Sequence, residues 1–226
     1  MKTNNRSYRI KRITATAMFC AMAYVCAVFV KVPVQFLTLD VKDSVIVLCT
    51  LLFGPLSGGT VAIVVPLLEF LTVSATGVYG LIMNVLSSMT FAMTAGLIYR
   101  YKKSMAGAII GLFAGVCSVT SVMLLANLFI TPHYLGGTVA QVAEMIPKIL
   151  LPFNLVKAVL NAAIVLLFYK PLSKMLKRMR VLRSEKKSGE TFATTEKGNA
   201  RTLVVSLVAA AVIVGSLLIV FFVLRK

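Results

Sequence analysis

Long apolar runs divide the chain, and this division limits the possible fold more than any other feature. About 20 apolar residues in a helix cross the roughly 30 Å hydrocarbon core of a bilayer. Of 226 residues, 59% are hydrophobic and 14% are charged, an apolar share well above that of soluble domains. The sequence therefore predicts an all-α polytopic membrane protein. Six runs form its main body: Ile13–Val30, Ser44–Phe53, Thr60–Val73, Tyr79–Tyr99, Met105–Ile130 and Leu150–Tyr169.

Turn-forming segments separate these runs. Pro33–Asp43 is a polar connection, and Gly54–Gly59 contains proline and glycines, which are poor residues for a helix interior. We therefore expect a loop after the first helix and a tight turn between the second and third. After the fifth helix, a loop with Pro132 and His133 leads into a short amphipathic piece, Val139–Ile146. His133 is interpreted as a solvated loop residue rather than a ligand.

The composition changes abruptly after the sixth run. Residues 170–201 contain ten Lys or Arg and three Glu without an apolar period, which predicts a flexible cytoplasmic linker. Thr202–Leu224 then provides 23 uncharged residues, enough for a seventh, appended transmembrane helix at about 1.5 Å per residue. We therefore divide the chain into a six-helix membrane domain over residues 1–180, a basic linker over 181–201 and an additional helix over 202–226.

Positive charge predicts the orientation of the helices. The amino terminus, the loop after the fourth helix and the linker hold five, three and ten Lys or Arg of a chain whose net charge is +17. Six spans place these segments on one side, and basic segments stay in the cytoplasm. The amino terminus is therefore expected in the cytoplasm. Because the basic blocks lie beside apolar runs, they indicate topology and lipid contact rather than nucleic-acid binding.

Polar residues interrupt the sixth run on one face only. At 100° per residue, Asn154, Lys157 and Asn161 fall within an arc of about 60°. An unpaired lysine inside a bilayer costs roughly 2.5–3.5 kcal/mol on insertion scales, so such a cation usually has a partner or a function. This face is expected to point into the protein interior or toward a ligand. The alternative is that Lys157 extends outward to the membrane surface.

Four predicted helices carry polar residues at similar depth. Asn84 and Lys157 lie about two turns below the outer surface, and Glu69 and Asn127 lie about one turn below it. Because such groups are poorly hydrated, we expect one shared cavity that opens to the outside beneath the Pro33–Asp43 loop. Two simpler interpretations remain, in which Asn84 forms hydrogen bonds between helices and Glu69 is a structural partner of Lys157.

No motif supports an enzyme or an independent energy source. The sequence contains no Gly-x4-Gly-Lys-Ser/Thr phosphate loop and no His-Glu-x-x-His metal pair. The four cysteines lie within apolar runs and predict neither a disulfide nor a metal site. A self-sufficient, proton-coupled secondary transporter of a small polar-aromatic solute, using Glu69 with Lys157, is the alternative function, although we find no internal symmetry. A membrane enzyme of lipid metabolism would need clustered acids and histidines, which the sequence lacks.

Four segments, in this order, resemble one known family. They are Leu39-Asp40, Phe53-Gly54-Pro55, Thr76–Asn84 followed by Ser87-Ser88, and Leu151–Lys157. Residues 10 to about 180 resemble the RibU-type riboflavin-binding S components of bacterial energy-coupling factor (ECF) transporters. The resemblance implies a six-helix protein of the bacterial cell membrane that captures riboflavin from outside and delivers it with a scaffold subunit and two ATPases. Riboflavin would be the transported ligand, and no resident cofactor is implied. The helix after Thr202 departs from the family pattern.

The resemblance also implies a ligand site. The family's pocket lies at the outer ends of helices four to six, so Asn127, Asn154 and Lys157 would face the flavin ring, and residues of the Leu37–Asp40 loop, Leu39 and Asp40 among them, would cover it. An Asn amide offers a donor and an acceptor and Lys offers donors, which suits the pyrimidine edge of a flavin. Together with the cavity residues above, the candidate substrate-binding set is Leu39, Asp40, Glu69, Asn84, Asn127, Asn154 and Lys157.

A second candidate site concerns the scaffold subunit. Ala17 and Ala21 form a small-residue face on the cytoplasmic half of the first helix, and another helix can approach such a face closely. Ordinary packing within the bundle is the simpler interpretation. The resemblance favours docking, because S components meet the scaffold at an Ala-x3-Ala face on this helix.

The charge distribution makes a topology prediction that does not depend on the resemblance. In a variant without native cysteines, a single cysteine at Thr38 or His133 should react with an impermeant maleimide added to intact cells. A cysteine at Lys186 should react only after the cells are opened, since the basic linker is expected in the cytoplasm. Labelling of the Lys186 variant alone in intact cells would show that the orientation is reversed.

Overall fold

Helices make up nearly all of the part of the chain that the structure describes. The computed structural model describes residues 2–34, 37–74, 76–178, 208, 209, 211 and 213–215. Up to residue 178 the elements are α1 (Lys2–Phe29), β1 (Lys31–Val34), β2 (Leu37–Asp40), α2 (Lys42–Phe53), α3 (Pro55–Thr72), α4 (Gly77–Tyr101), α5 (Met105–Leu135), α6 (Val139–Met145), a π-helical turn (Ile146–Leu150) and α7 (Leu151–Arg178).

Within the described part of the chain, five helical segments are long and apolar enough to cross a membrane, as an all-α membrane protein requires. They are Arg9–Phe29, Pro55–Thr72, Gly77–Tyr101, Met105–Leu135 and Val139–Met175, and the last contains the predicted sixth helix as α7. The predicted second helix, α2, has only 12 residues, about 18 Å of helix at 1.5 Å per residue. Ten of those 12 residues are buried, and α2 packs against α1, α3, α4 and α7. It is a short, central helix of the bundle.

The first connection, predicted as a loop, is largely a β-hairpin. β1 and β2 pair antiparallel, with Lys31 opposite Asp40 and Val34 opposite Leu37. Val34 and Leu39 are buried against Leu160 of α7, so the hairpin folds back onto the helices. The loop prediction is wrong because Val34 and Leu39 of this short segment pack on an apolar surface of α7. We call the end of the bundle that carries β1 and β2 the hairpin end.

A single residue separates α2 from α3. Gly54 has a φ of +94°, which favours glycine, and its N–H donates to the carbonyl of Thr50 at 2.8 Å. Pro55 then begins α3 at the first helical position, where an N–H would lack a partner in the helix. The prediction that the turn continues to Gly59 is therefore wrong. Gly58 lies inside α3, where an added Cβ would overlap Thr50 Oγ1, so the small residue serves helix contact rather than a turn.

The connection between α5 and α7 contains a short helix, as predicted. α5 continues beyond its predicted end at Ile130 and includes Pro132 in its last turn. The Thr138 side chain then accepts a hydrogen bond from the Gln141 N–H, and the Gln141 side chain accepts one from the Thr138 N–H. This capping box starts α6. The amphipathic piece predicted over Val139–Ile146 is confirmed, and the π-helical turn joins it to α7.

An apolar core connects α1, α2, α3, α4, α5 and α7. Its fully buried members are Ala23, Ile46, Val47, Cys49, Ala62, Val65, Ala92, Ala95, Ala108 and Val165. Half of them are alanine, and small residues let helices approach closely where lipid supplies no hydrophobic driving force. Away from the hairpin end, Tyr99 and Tyr169 pack edge to face, and their hydroxyl groups are hydrogen-bonded.

Most of the predicted linker and seventh helix lies outside the described residues. The linker over 181–201 is entirely outside them, and within 202–226 six residues are described, all of them helical. Ile213 packs against the cluster of Val34, Leu39 and Leu160. The division into a bundle, a linker and an appended helix stays a prediction.

The close approach of α4 and α5 makes a stability prediction. A Cβ added at Gly111 would lie 2.8 Å from the carbonyl oxygen of Ala95, so Gly111→Ala should force the two helices apart. We expect a destabilisation of about 1–3 kcal/mol, seen as a lower apparent Tm of the protein in detergent.

Gly59→Ala is the matched control for this substitution. A Cβ at Gly59 would meet Met89 and Met93 at an ordinary 3.7 Å, and replacing a helical glycine by alanine gains roughly 0.5–1 kcal/mol. The control should therefore match or exceed the wild-type Tm. An unchanged Tm in Gly111→Ala would contradict the close packing of α4 on α5.

Candidate ligand-binding site

A cavity opens at the hairpin end between β2, α4, α5 and α7. Its volume, including the open mouth, is about 720 Å³. Apolar walls with a few polar groups are typical of small-molecule sites. The lining residues are Leu37, Thr38, Thr76, Tyr79, Gly80, Met83, Asn84, Ser87, Met123, Asn127, Ile130, Thr131, Tyr134, Phe153, Asn154 and Lys157.

The structure places four of the predicted site residues on the wall of this one cavity. They are Asn84 on α4, Asn127 on α5, and Asn154 and Lys157 on α7. Asn127 is 1% exposed and Asn154 is 8% exposed, so both amides are poorly reached by solvent. A polar ligand in the cavity would therefore meet three amides and one ammonium group in surroundings that contain little water.

Local hydrogen bonds hold the two buried amides in place. Asn127 Nδ2 donates to the Met123 carbonyl at 2.7 Å, and its Oδ1 accepts from Thr131 Oγ1 at 2.9 Å. Asn154 Nδ2 donates to the Leu150 carbonyl at 2.8 Å. An amide has two N–H donors and an oxygen with two lone pairs, so these bonds use only part of its capacity. Each amide is oriented and still has groups that can bind a ligand.

Lys157 is paired inside the protein rather than extended to the membrane surface. Its Nζ donates to Asp40 Oδ2 at 2.8 Å, and its side chain is 13% exposed. An ammonium group has three donors, and the contact with Asp40 uses one. The predicted polar face of α7 thus faces the hairpin and the cavity. The alternative interpretation, in which Lys157 extends to the membrane surface, is wrong.

Asn161, one turn beyond Lys157, anchors the hairpin to α7. Its Nδ2 donates to the Asp40 carbonyl at 3.0 Å, and its Oδ1 accepts from the Ser44 N–H at 2.8 Å. Burial by itself raises the pKa of Asp40, but the ammonium groups of Lys157 and Lys42 outweigh burial and hold that pKa below its ordinary value. Asp40 is therefore an ionised carboxylate fixed at the junction of β2, α2 and α7.

Apolar and aromatic side chains form the rest of the wall. Tyr79 and Met83 come from α4, Met123 and Ile130 from α5, and Phe153 from α7. Large apolar groups that surround a few oriented polar groups suit a flat heteroaromatic ligand, whose faces need apolar contact and whose edge needs hydrogen bonds.

Comparisons with known proteins agree with this architecture. The family described as ECF transporter, substrate-specific component, matches residues 11–169. The chain belongs to this family. This S component is 33% identical over 179 residues to the riboflavin transporter RibU of Staphylococcus aureus (strain TCH60), which covers 75% of this chain and 94% of that protein.

A second relative and a solved structure are also similar over most of their length. The S component is 22% identical over 187 residues to the riboflavin transporter FmnP of Bacillus subtilis (strain 168), which covers 76% of this chain and 97% of that protein. The solved structure of the S component of a bacterial ECF transporter matches at 33% identity with a TM-score of 0.65, covering 75% of this chain and 99% of that chain. The predicted family and fold class are confirmed, and the chain is a multi-pass membrane protein. The named relatives are transporters rather than enzymes.

Glu69 does not line the cavity of this S component, contrary to its predicted place in the ligand site. Its Oε2 accepts from Lys42 Nζ at 2.5 Å, so its bonded partner is also not Lys157. The prediction missed Lys42, which it assigned to the exposed loop. Lys42 is the first residue of α2 and is 1% exposed, and it reaches Glu69 because α2 packs against α3.

Leu39 and Asp40 also do not line the cavity. Leu39 belongs to the apolar cluster with Val34. The Asp40 side chain bonds Lys157 but does not itself line the cavity. The residues of β2 that do line the cavity are Leu37 and Thr38. Of the predicted covering segment, Leu37–Asp40, the first two residues line the cavity, because the hairpin turns Leu39 and Asp40 toward α7.

Another buried carboxylate was also missed by the sequence prediction. Asp43 is 3% exposed and accepts a hydrogen bond from Ser88 Oγ of α4 at 2.5 Å. A pair of charged residues at the start of a run with ten buried residues was the available signal. Among the described residues, no group of three or more His, Cys, Asp or Glu could hold a metal ion.

Proposed function

We propose that this S component binds riboflavin in the cavity and delivers it into the cell together with a scaffold subunit and two ATPases. Both named relatives are riboflavin transporters. The observation that carries the proposal is the convergence of Asn127, Asn154 and Lys157 on one largely apolar cavity. These residue types offer both donors and acceptors within a single wall.

The chemistry of riboflavin matches this arrangement. The pyrimidine edge of its ring system alternates carbonyl acceptors with an N–H donor, which Asn127, Asn154 and Lys157 can pair. The apolar ring faces would pack on groups such as Met83 and Phe153. Asn84, on the α4 side of the cavity, would bond another polar part of the ligand.

Charge supports an orientation in which the cavity faces the outside. The amino terminus and the loop after α4 carry five and three Lys or Arg, respectively, and lie at the end opposite the hairpin. Basic segments remain in the cytoplasm, so the hairpin end would take up ligand from outside. Because the sequence has no phosphate loop, we assign ATP hydrolysis to the partner subunits.

The exposed part of α1 supports a docking surface for the scaffold. Ala17 and Ala21 are exposed, whereas Ala23 and Ala27 are fully buried in the bundle. Small exposed residues on a membrane helix allow a second helix to approach closely. We assign the Ala17–Ala21 face to contact with the scaffold subunit.

The structure weighs against a proton-coupled secondary transporter. That alternative depends on Glu69 acting with Lys157, but Glu69 bonds Lys42 and Lys157 bonds Asp40. Each carboxylate already has a cation, so the proposed proton-carrying pair is not formed.

The first prediction tests the ligand. Asn154→Ala should weaken riboflavin binding by about 5- to 150-fold, because an unpaired buried ligand carbonyl costs roughly 1–3 kcal/mol. Lys157→Met, which keeps most of the bulk but loses the charged donor, should weaken it at least as much. The measurement is titration of riboflavin fluorescence quenching with the purified protein in detergent.

Lys148→Met provides the matched control. Lys148 is exposed on the π-helical turn before α7 and does not line the cavity, so its loss should leave the affinity unchanged. A wild-type protein that does not quench riboflavin fluorescence would exclude riboflavin as the ligand. Normal affinity in both site variants would place the ligand elsewhere.

The second prediction tests the docking surface. Ala17→Trp and Ala21→Trp should abolish riboflavin uptake by cells that also produce the scaffold and ATPase subunits, since an indole ring prevents close helix contact. Riboflavin binding by the purified variants should stay normal. Ala106→Trp, at an exposed alanine of α5, is the control and should leave uptake intact. Normal uptake in both α1 variants would show that the scaffold binds another surface.

A further inference from the structure

The only carboxylate that bonds Lys157 among the described residues comes from the hairpin, not from a membrane helix. Asp40 is the last residue of β2, and its Oδ2 accepts from Lys157 Nζ at 2.8 Å. Asp40 itself is 2% exposed and does not line the cavity. It therefore touches the cavity only through Lys157.

We propose that Asp40 is a positioning residue that holds the Lys157 ammonium group toward the ligand and thereby couples the docking of the hairpin to ligand binding. This inference rests on the proposed function, because it assigns Lys157 a bond to riboflavin. It gives Asp40 a role distinct from the covering role that its place in the hairpin suggests.

Several contacts make Asp40 a rigid support. Its Oδ1 accepts from the Lys42 N–H at 3.3 Å, and its carbonyl accepts from Asn161 Nδ2 at 3.0 Å. The Lys42 ammonium lies 3.8 Å from Asp40 Oδ2. The backbone and both carboxylate oxygens are thus held by α2 and α7. Such a carboxylate can fix one N–H direction of a neighbouring ammonium group.

Lys157 needs such support because a lysine side chain is long and flexible. Four rotatable bonds separate its charge from the α7 backbone, so an unsupported ammonium group samples many positions. With one donor directed at Asp40, the two remaining donors are restricted to the region beside the cavity. The ligand then meets a group that is already oriented, which reduces the entropy lost on binding.

The bond between Lys157 and Asp40 couples docking of the hairpin to ligand binding, and this coupling acts in both directions. The hairpin contributes Leu37 and Thr38 to the cavity wall and Asp40 to Lys157. If a docked hairpin favours the ligand, the ligand must favour the docked hairpin by the same factor. Riboflavin should therefore reduce the opening of β2, and this effect should depend on Lys157.

The first experiment measures riboflavin affinity by fluorescence quenching. Asp40→Asn keeps the size of the side chain and removes its charge, and we expect it to weaken binding about 10- to 100-fold. Adding it to Lys157→Met should cause little further loss, since contacting residues that act through one bond are not additive. Equal affinity in wild type and Asp40→Asn, or fully additive losses, would overturn the inference.

Asp43→Asn is the matched control. It is the same substitution at a carboxylate that is equally buried and three residues away, but whose bond goes to Ser88. Asp43 also interacts electrostatically with Lys157 but does not bond it, so Asp43→Asn should weaken binding clearly less than Asp40→Asn does. An equal loss of affinity in Asp43→Asn and Asp40→Asn would reduce the effect to general destabilisation and overturn the positioning role.

An infrared spectrum of bound riboflavin distinguishes a positioning role of Asp40 from a merely structural role. Loss of a charged donor weakens the hydrogen bond to a flavin carbonyl and raises its stretching frequency. Lys157→Met and Asp40→Asn should shift the carbonyl band in the same direction, and Asp43→Asn, which keeps the Asp40–Lys157 bond, should shift it less. An unshifted band in Asp40→Asn would contradict the inference.

Hydrogen exchange on the hairpin tests the coupling without any Asp40 variant. Saturating riboflavin should slow exchange of the Leu37–Asp40 amides in the wild type and have little effect on them in Lys157→Met. Equal protection in the two proteins would overturn the coupling. A wild type that binds no riboflavin would overturn the proposed function and this inference together, whereas normal wild-type binding with an unaffected Asp40→Asn would overturn only the inference.

Discussion

The ion pair between Lys157 and Asp40 is the interaction on which the hairpin end depends. A lysine within a membrane helix needs a counter-charge nearby, because an isolated ammonium group is costly in apolar surroundings. The partner lies 117 residues away in sequence, on β2. The hairpin must therefore fold back onto α7 to bring the carboxylate within 2.8 Å. Its place beside the cavity follows from charge pairing as well as from the apolar contact of Leu39 with α7.

A second set of buried polar contacts connects this pair to the centre of the bundle. α2 begins with Lys42 and Asp43, which bond Glu69 of α3 and Ser88 of α4. Asn161 joins the start of α2 to the hairpin. The apolar remainder of α2 is buried against four other helices, so the polar contacts near its first turn are placed by a packed core. Lys157 on α7 is the charged group of the cavity wall and is connected through Asp40 to the start of α2, whereas α4 and α5 line the cavity with neutral polar and apolar groups.

Helical periodicity was sufficient to predict the polar face of α7 and the shared depth of Asn84, Asn127 and Lys157, because both depend on spacing along single helices. It was not sufficient to predict which charges pair. Glu69 and Asp40 are both plausible partners for Lys157 by depth, and the choice depends on how α2 places Lys42. Strand formation was missed for a related reason, since a four-residue strand is stabilised by the surface on which it packs rather than by local preference.

The buried pair also bears on how ligand would be released. Under the proposed function, riboflavin bonds Lys157 on one side while Asp40 bonds it on the other, so the loaded hairpin is held more firmly than the empty one. Removing one partner of a buried ion pair typically costs about 3–5 kcal/mol, because the other charge is left buried without a partner. A site closed in this way opens slowly without help, and this S component has no phosphate loop of its own. Release would therefore need work from partner subunits on helices that connect to the hairpin, and α1, which runs directly into β1, is the nearest such connection to the exposed Ala17–Ala21 face.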